Sequence, residues 1–81
     1  MQISLLFFAS AQDATGSADL DWECAPDTTV EQCVEQLKAR FPVLRELAPR
    51  VRFAVNAEFA TSATILKAGD TLAFLPPMSG G

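Results

Sequence analysis

The chain has 81 residues, a net charge of −4, two cysteines and no histidine. A domain this small buries only about 60% of its unfolded surface, which leaves little room for a catalytic cleft. The acidic balance argues against nucleic acid, whose phosphates require clustered Lys and Arg, and the absence of His and of a Cys-x-x-Cys pair argues against a metal centre.

The N-terminus has no basic run, and the apolar stretch from Leu5 to Ala9 is too short for a signal h-region or a membrane span, so the cytoplasm is the expected compartment and no membrane partner is expected. Ile3, Leu5 and Phe7 alternate with Ser4, Leu6 and Phe8, which predicts a strand apolar on both sides and therefore interior in a sheet. Ser10 to Ser17, with Gln12, Asp13, Thr15 and Gly16, reads as a turn. Ala18 to Cys24 sets Leu20 and Trp22 between Asp19, Asp21 and Glu23, a half-exposed strand antiparallel to the first.

Pro26-Asp27-Thr28 stops that strand, and Thr28 with Glu31 three residues on predicts a capping box. Val30, Cys33, Val34, Leu37 and Phe41 follow at helical spacing, giving one amphipathic helix of about three turns. Pro42 opens a short second helical turn carrying Val43, Leu44 and Leu47 and ending before Pro49. Val51, Phe53 and Val55 predict a strand, Asn56-Ala57 a tight turn, and Glu58 to Ala60 a short return strand. Ala60 to Ala68 is irregular, Ala68-Gly69-Asp70 is a turn, and Thr71 to Leu75 is the last strand, stopped by Pro76-Pro77. This order describes an α+β fold, a small mixed sheet curled on one main helix in the β-grasp, or ubiquitin-like, arrangement. The domain is expected over 1–77, with 78–81 as a flexible tail.

Charge is distributed unevenly along this order. Asp13, Asp19, Asp21, Glu23, Asp27, Glu31 and Glu35 all precede the first basic residue, Lys38, and Lys38, Arg40, Arg45, Arg50 and Arg52 share the middle. A solvated surface and a docking patch for a charged partner both fit that distribution. Cys24 and Cys33 read as small, reduced, partly buried hydrophobes.

The ending Met78-Ser79-Gly80-Gly81 carries the chemistry. Gly80 and Gly81 lack Cβ atoms, so they can thread a narrow channel in a partner, while Pro76 and Pro77 stiffen the root. A terminal carboxylate is a poor electrophile until ATP converts it to an acyl-adenylate. The chain has no Gly-rich phosphate loop and no histidine base, so a partner enzyme must perform that step. The chain is not expected to be catalytic alone or to bind a cofactor.

Leu6-Phe7-Phe8-Ala9, Phe53-Ala54-Val55-Asn56 and Gly69-Asp70-Thr71-Leu72-Ala73-Phe74-Leu75-Pro76-Pro77-Met78-Ser79-Gly80-Gly81 resemble the small subunit of molybdopterin synthase along essentially the whole chain. The resemblance implies that an E1-like adenylyltransferase consumes ATP to adenylate Gly81 and that a sulfur donor converts it to a thiocarboxylate. It further implies that the tail enters the active site of the synthase large subunit, in a heterotetramer of two small and two large subunits. There the sulfur passes to cyclic pyranopterin monophosphate and builds the dithiolene of molybdopterin. Many bacterial relatives carry Arg-Glu after the first strand where this chain has Gln12-Asp13, so a contact of that Arg does not carry over.

Strand parity places Ile3, Leu5, Phe7, Val51, Phe53, Val55, Leu72 and Phe74 toward the helix. Leu6, Phe8, Ala54, Ala73 and Leu75 then fall on the opposite face, joined by Phe59, as an apolar surface for a partner. Phe8, Phe59, Leu75, Pro76, Pro77, Met78 and Ser79 are the candidate partner-binding residues. The competing reading covers Phe8 and Leu75 with the Ala60 to Ala68 segment. Sulfur supply to thiazole synthesis or tRNA thiolation, a ubiquitin-like protein modifier, an inert interaction module, and a persulfide on Cys24 or Cys33 are the alternative functions.

Overall fold

The computed structural model describes residues 1–76, with Ala48 described by its backbone alone. Five strands, β1 (Gln2–Phe7), β2 (Asp19–Glu23), β3 (Arg52–Val55), β4 (Glu58–Ala60) and β5 (Thr71–Leu75), form one sheet in the order β2-β1-β5-β3-β4. β1 and β5 pair in parallel and the other neighbours are antiparallel. The apolar-on-both-sides reading of the first strand is met, since β1 lies between β2 and β5.

The main helix, α2 (Val30–Arg40), covers one face of the sheet. Its Val30, Cys33, Val34 and Leu37 join Ile3, Leu5, Phe7, Leu72 and Phe74 in a single buried cluster, against which Phe41, Val51, Phe53 and Val55 pack. The aromatic centre of that cluster is Phe74, whose ring stands 5.1 Å from Phe7 and meets Phe53 edge-on at 5.3 Å. Such pairs contribute about 0.5–1.5 kcal/mol beyond the area they bury. A mixed sheet on one main helix is the β-grasp arrangement expected from the pattern.

Two local expectations change. Ser10 to Ser17 is not a turn, because Ala9–Thr15 forms a helix, α1, that closes on Gly16 at φ 77° with the Gly16 N–H donating to the Gln12 carbonyl. Ala11 is its one buried residue, so it carries no apolar stripe for periodicity to detect.

The capping box starts one residue later than expected. Thr29 Oγ1 accepts from the Gln32 N–H at 3.2 Å, and Gln32 Oε1 accepts from the Thr29 N–H at 3.0 Å. Thr28 is buried instead, its hydroxyl donating to the Ala25 carbonyl at 2.6 Å.

The helical turn after Pro42, α3 (Leu44–Leu47), ends before Pro49 as expected, and a 3₁₀ turn over Ala48–Arg50 follows it. Proline is tolerated there because early positions of a turn need no N–H donor. Leu44 is buried and Leu47 half-buried, whereas Val43 is exposed.

The 61–68 segment packs at the helix side of the sheet. Leu66 enters the core, and the carbonyls of Thr64 and Ser62 accept from the N–H groups of Val30 and Glu31, donors that the first turn of α2 leaves without intrahelical partners. Trp22 also faces α2, with Nε1 donating to Gln36 Oε1 at 3.2 Å.

Candidate functional site

The face of the sheet turned away from α2 is open. Cross-strand neighbours share a face, so the register Leu6↔Ala73↔Ala54↔Phe59 runs one apolar row across four strands. Phe8 and Leu75 extend the row toward the end of β5. Together these six residues line a groove of about 480 Å³, completed at its other end by Asn56, Ala57 and Thr71.

Phe8 is 47% exposed and Phe59 77% exposed, so two large rings stand in water on a small acidic domain. Nothing from 61–68 lines this groove, and the competing reading, in which that segment covers Phe8 and Leu75, is set aside.

The end of the groove formed by Asn56 is rigidly built. Asn56 and Ala57 occupy the left-handed region at φ 52° and 69°, the conformation that a two-residue type I′ turn requires. The Asn56 amide donates to Asp70 Oδ1 at 2.9 Å, its carbonyl oxygen accepts from the Thr71 N–H at 3.0 Å, and Asp70 Oδ2 accepts from the Lys67 N–H at 2.8 Å. These bonds tie the β3–β4 turn to the turn before β5 and hold both walls in place. Sequence reading found the turn but not its role in the groove, because the clamp joins residues fourteen and fifteen positions apart.

Parity correctly gathered Leu6, Phe8, Ala54, Ala73 and Leu75, and Phe59 joins them. Pro76 is buried where the chain leaves β5. The remaining expected site residues, Pro77, Met78, Ser79, Gly80 and Gly81, lie outside the described residues.

Cys24 and Cys33 are both buried in the core, away from the groove. Burial, reinforced by the neighbouring Cys24, pushes the Cys33 thiol up to about 12, which suppresses the nucleophilic thiolate. Among the described residues no group of three or more His, Cys, Asp or Glu side chains is gathered in a way that could hold a metal ion. No helix among them is long and apolar enough to cross a membrane.

The model of the ThiS family matches residues 5–81. The molybdopterin synthase sulfur carrier subunit of Arabidopsis thaliana is 37% identical over 81 residues, which span 100% of this chain and 84% of that protein. The chain belongs to this family of sulfur carrier subunits. It is 33% identical to the corresponding subunit of Mycobacterium tuberculosis over 82 residues, covering 100% of this chain and 99% of that protein. Among solved structures, SAMP1 of Haloferax volcanii superposes with a TM-score of 0.89 at 26% identity, each chain covered to 100%. In this member of the family the open groove reaches Leu75, the residue before Pro76.

Proposed function

We propose that this chain is the sulfur carrier subunit of a molybdopterin synthase and that its open face docks the domain while its last residues deliver sulfur. The observation that carries this reading is the end-to-end likeness to sulfur carrier subunits, with a family match that runs through Gly81. An apolar groove at the root of that ending adds support.

An E1-like adenylyltransferase joins the Gly81 carboxylate to the α-phosphate of ATP and releases pyrophosphate. A sulfur donor then displaces AMP and leaves a thiocarboxylate on Gly81. Gly80 and Gly81 pass the channel of the large subunit, Pro77, Met78 and Ser79 span from the domain to its entrance, and Phe8, Phe59, Leu75 and Pro76 form the docking side. In the large subunit two charged carriers in turn each give one sulfur to cyclic pyranopterin monophosphate, building the two-sulfur dithiolene of molybdopterin, and water returns each Gly81 to a carboxylate. Two carriers and two large subunits form the working heterotetramer in the cytoplasm. The carrier itself holds no cofactor.

Intact-mass measurement after incubation with an E1-like enzyme, ATP and a sulfur donor tests the carrier step. An oxygen-for-sulfur mass change that disappears when Gly81 is deleted is expected, and no change with a demonstrably active enzyme overturns the reading. Production of molybdopterin from its precursor by the purified large subunit and the charged carrier separates this pathway from other thiolations.

The likeness to SAMP1, a small archaeal modifier protein, favours protein modification as a second reading. High-mass adducts in a denaturing gel that require Gly81 are its signature.

A further inference from the structure

The open face bears charge of opposite sign at two separate places around its apolar row, beyond its β1 end and beside Leu75 on β3. On β2, Asp19 and Asp21 stand opposite Leu6 and Ser4 and are exposed. On β3, Arg52 stands opposite Leu75, the residue before Pro76, and is also exposed. Among the described residues neither Arg52 nor these two aspartates has an ion-pair partner. Arg52 is also set apart from the other cations. Lys38 and Arg40 ride on α2, Arg45 on α3, Arg50 in the 3₁₀ turn and Lys67 in the loop before β5, whereas Arg52 shares its face with the groove.

This placement has a physical consequence for docking. Opposed residues in adjacent antiparallel strands have Cα atoms only about 4.5–5.5 Å apart, so a partner that buries Leu75 also closes on the Arg52 side chain, whose guanidinium must then meet an acceptor or turn away to water. A guanidinium taken out of water without an acceptor is strongly penalised, and it cannot shed its proton to escape. A wholly apolar partner surface would therefore be disfavoured at this corner.

We propose, building on the carrier reading above, that Arg52 sets the orientation of the docked carrier. It pairs with a carboxylate that the large subunit presents beside the entrance for the last residues, while that subunit's surface over β2 is basic. An apolar row alone tolerates rotation about its own normal, and opposite charges set asymmetrically around it, acidic beyond β1 and basic beside Leu75, remove that freedom. The orientation they select puts Pro76 at the entrance. Arg52 is thus a specificity-determining residue that never reaches the reacting atoms.

Titration calorimetry of the full chain with the large subunit of the same organism, at low and high salt, tests the idea. Arg52→Glu is expected to weaken binding by roughly tenfold or more and to reduce its salt dependence. Arg45→Glu, off the open face, is expected to stay within about twofold. Thermal unfolding of both variants should match the parent, since Arg52 is exposed and unpaired in the free domain. Reversal of one large-subunit Asp or Glu to Arg should restore binding of Arg52→Glu.

Equal binding by Arg52→Glu and the parent, or no restoring reversal, overturns the inference and leaves the carrier reading standing. If the parent chain itself fails to bind a folded large subunit, the carrier reading falls with it. A change in the carrier's own oligomeric state on Arg52→Glu would name a second copy as the occupant and also overturn the proposal.

Discussion

Cys33 shows how a side chain with chemical potential is set aside by its surroundings. It is fully buried on the inner face of α2, where burial, and then the neighbouring Cys24, disfavour the thiolate and push its thiol from the ordinary 9.0 up to about 12. Raised in the folded state, this group favours folding fully below about pH 9, and its contribution is lost as the pH rises from 9 toward 12. Stability of the parent, measured by denaturant midpoint from pH 8 to 11, should fall more steeply than that of Cys33→Ala. Parallel curves would show that the thiol ionises alike in the folded and unfolded states, so that burial does not shift it. Alkylation of native protein at pH 8 should likewise spare Cys33 until denaturant is added. The persulfide alternative requires a thiol that reacts in the folded protein, and this one is withheld.

At the scale of elements, the groove belongs to strand pairing more than to any single residue. Phe8 and Leu75 come from the ends of β1 and β5, and the parallel register Phe7↔Phe74 is what brings them to one corner. Truncating both, Phe8→Ala with Leu75→Ala, removes apolar surface that is partly in water already, so the domain should stay folded. The same change should weaken binding to both the large subunit and the E1-like enzyme, each buried side chain being worth about 1.5–3 kcal/mol when covered. Unchanged capture of the large subunit by the double variant would remove the groove from the docking surface.

Those two residues were legible in the sequence because alternation fixes faces without knowledge of the fold. The helix α2 was legible for the same reason, its apolar residues recurring every three or four positions. The short helix α1 was not, since seven residues with one buried alanine give no periodic signal. The cap was misplaced by one because Thr28-Glu31 and Thr29-Gln32 are equally good boxes in sequence. What decides between them is distant, the Thr28 carbonyl accepting from the Leu66 N–H and the Thr28 hydroxyl being held by Ala25. Asn56 and Thr71 escaped as groove residues on the same ground, being joined by a bond across fifteen positions.

The whole molecule is organised around β5. Among the described residues it lies between β1 and β3 and is the strand that joins a two-stranded ribbon of β1 and β2 to another of β3 and β4. Neither ribbon is stable alone in water, and Leu72 and Phe74 supply core to both halves. A chain stopped after Gly69 should therefore lose cooperative thermal unfolding and become sensitive to protease. A compact, protease-resistant product would show that the first four strands fold by themselves.

That central strand also leads directly into the residues proposed to carry sulfur, and this has a consequence for the cell. A folded domain that kept the docking groove but lacked its reactive end would occupy partners without serving them. If the strand before that end is as indispensable to the sheet as the truncation test expects, chains interrupted upstream of it do not mature into such decoys, and the pool of competent binders stays close to the pool of chains that reach their final strand.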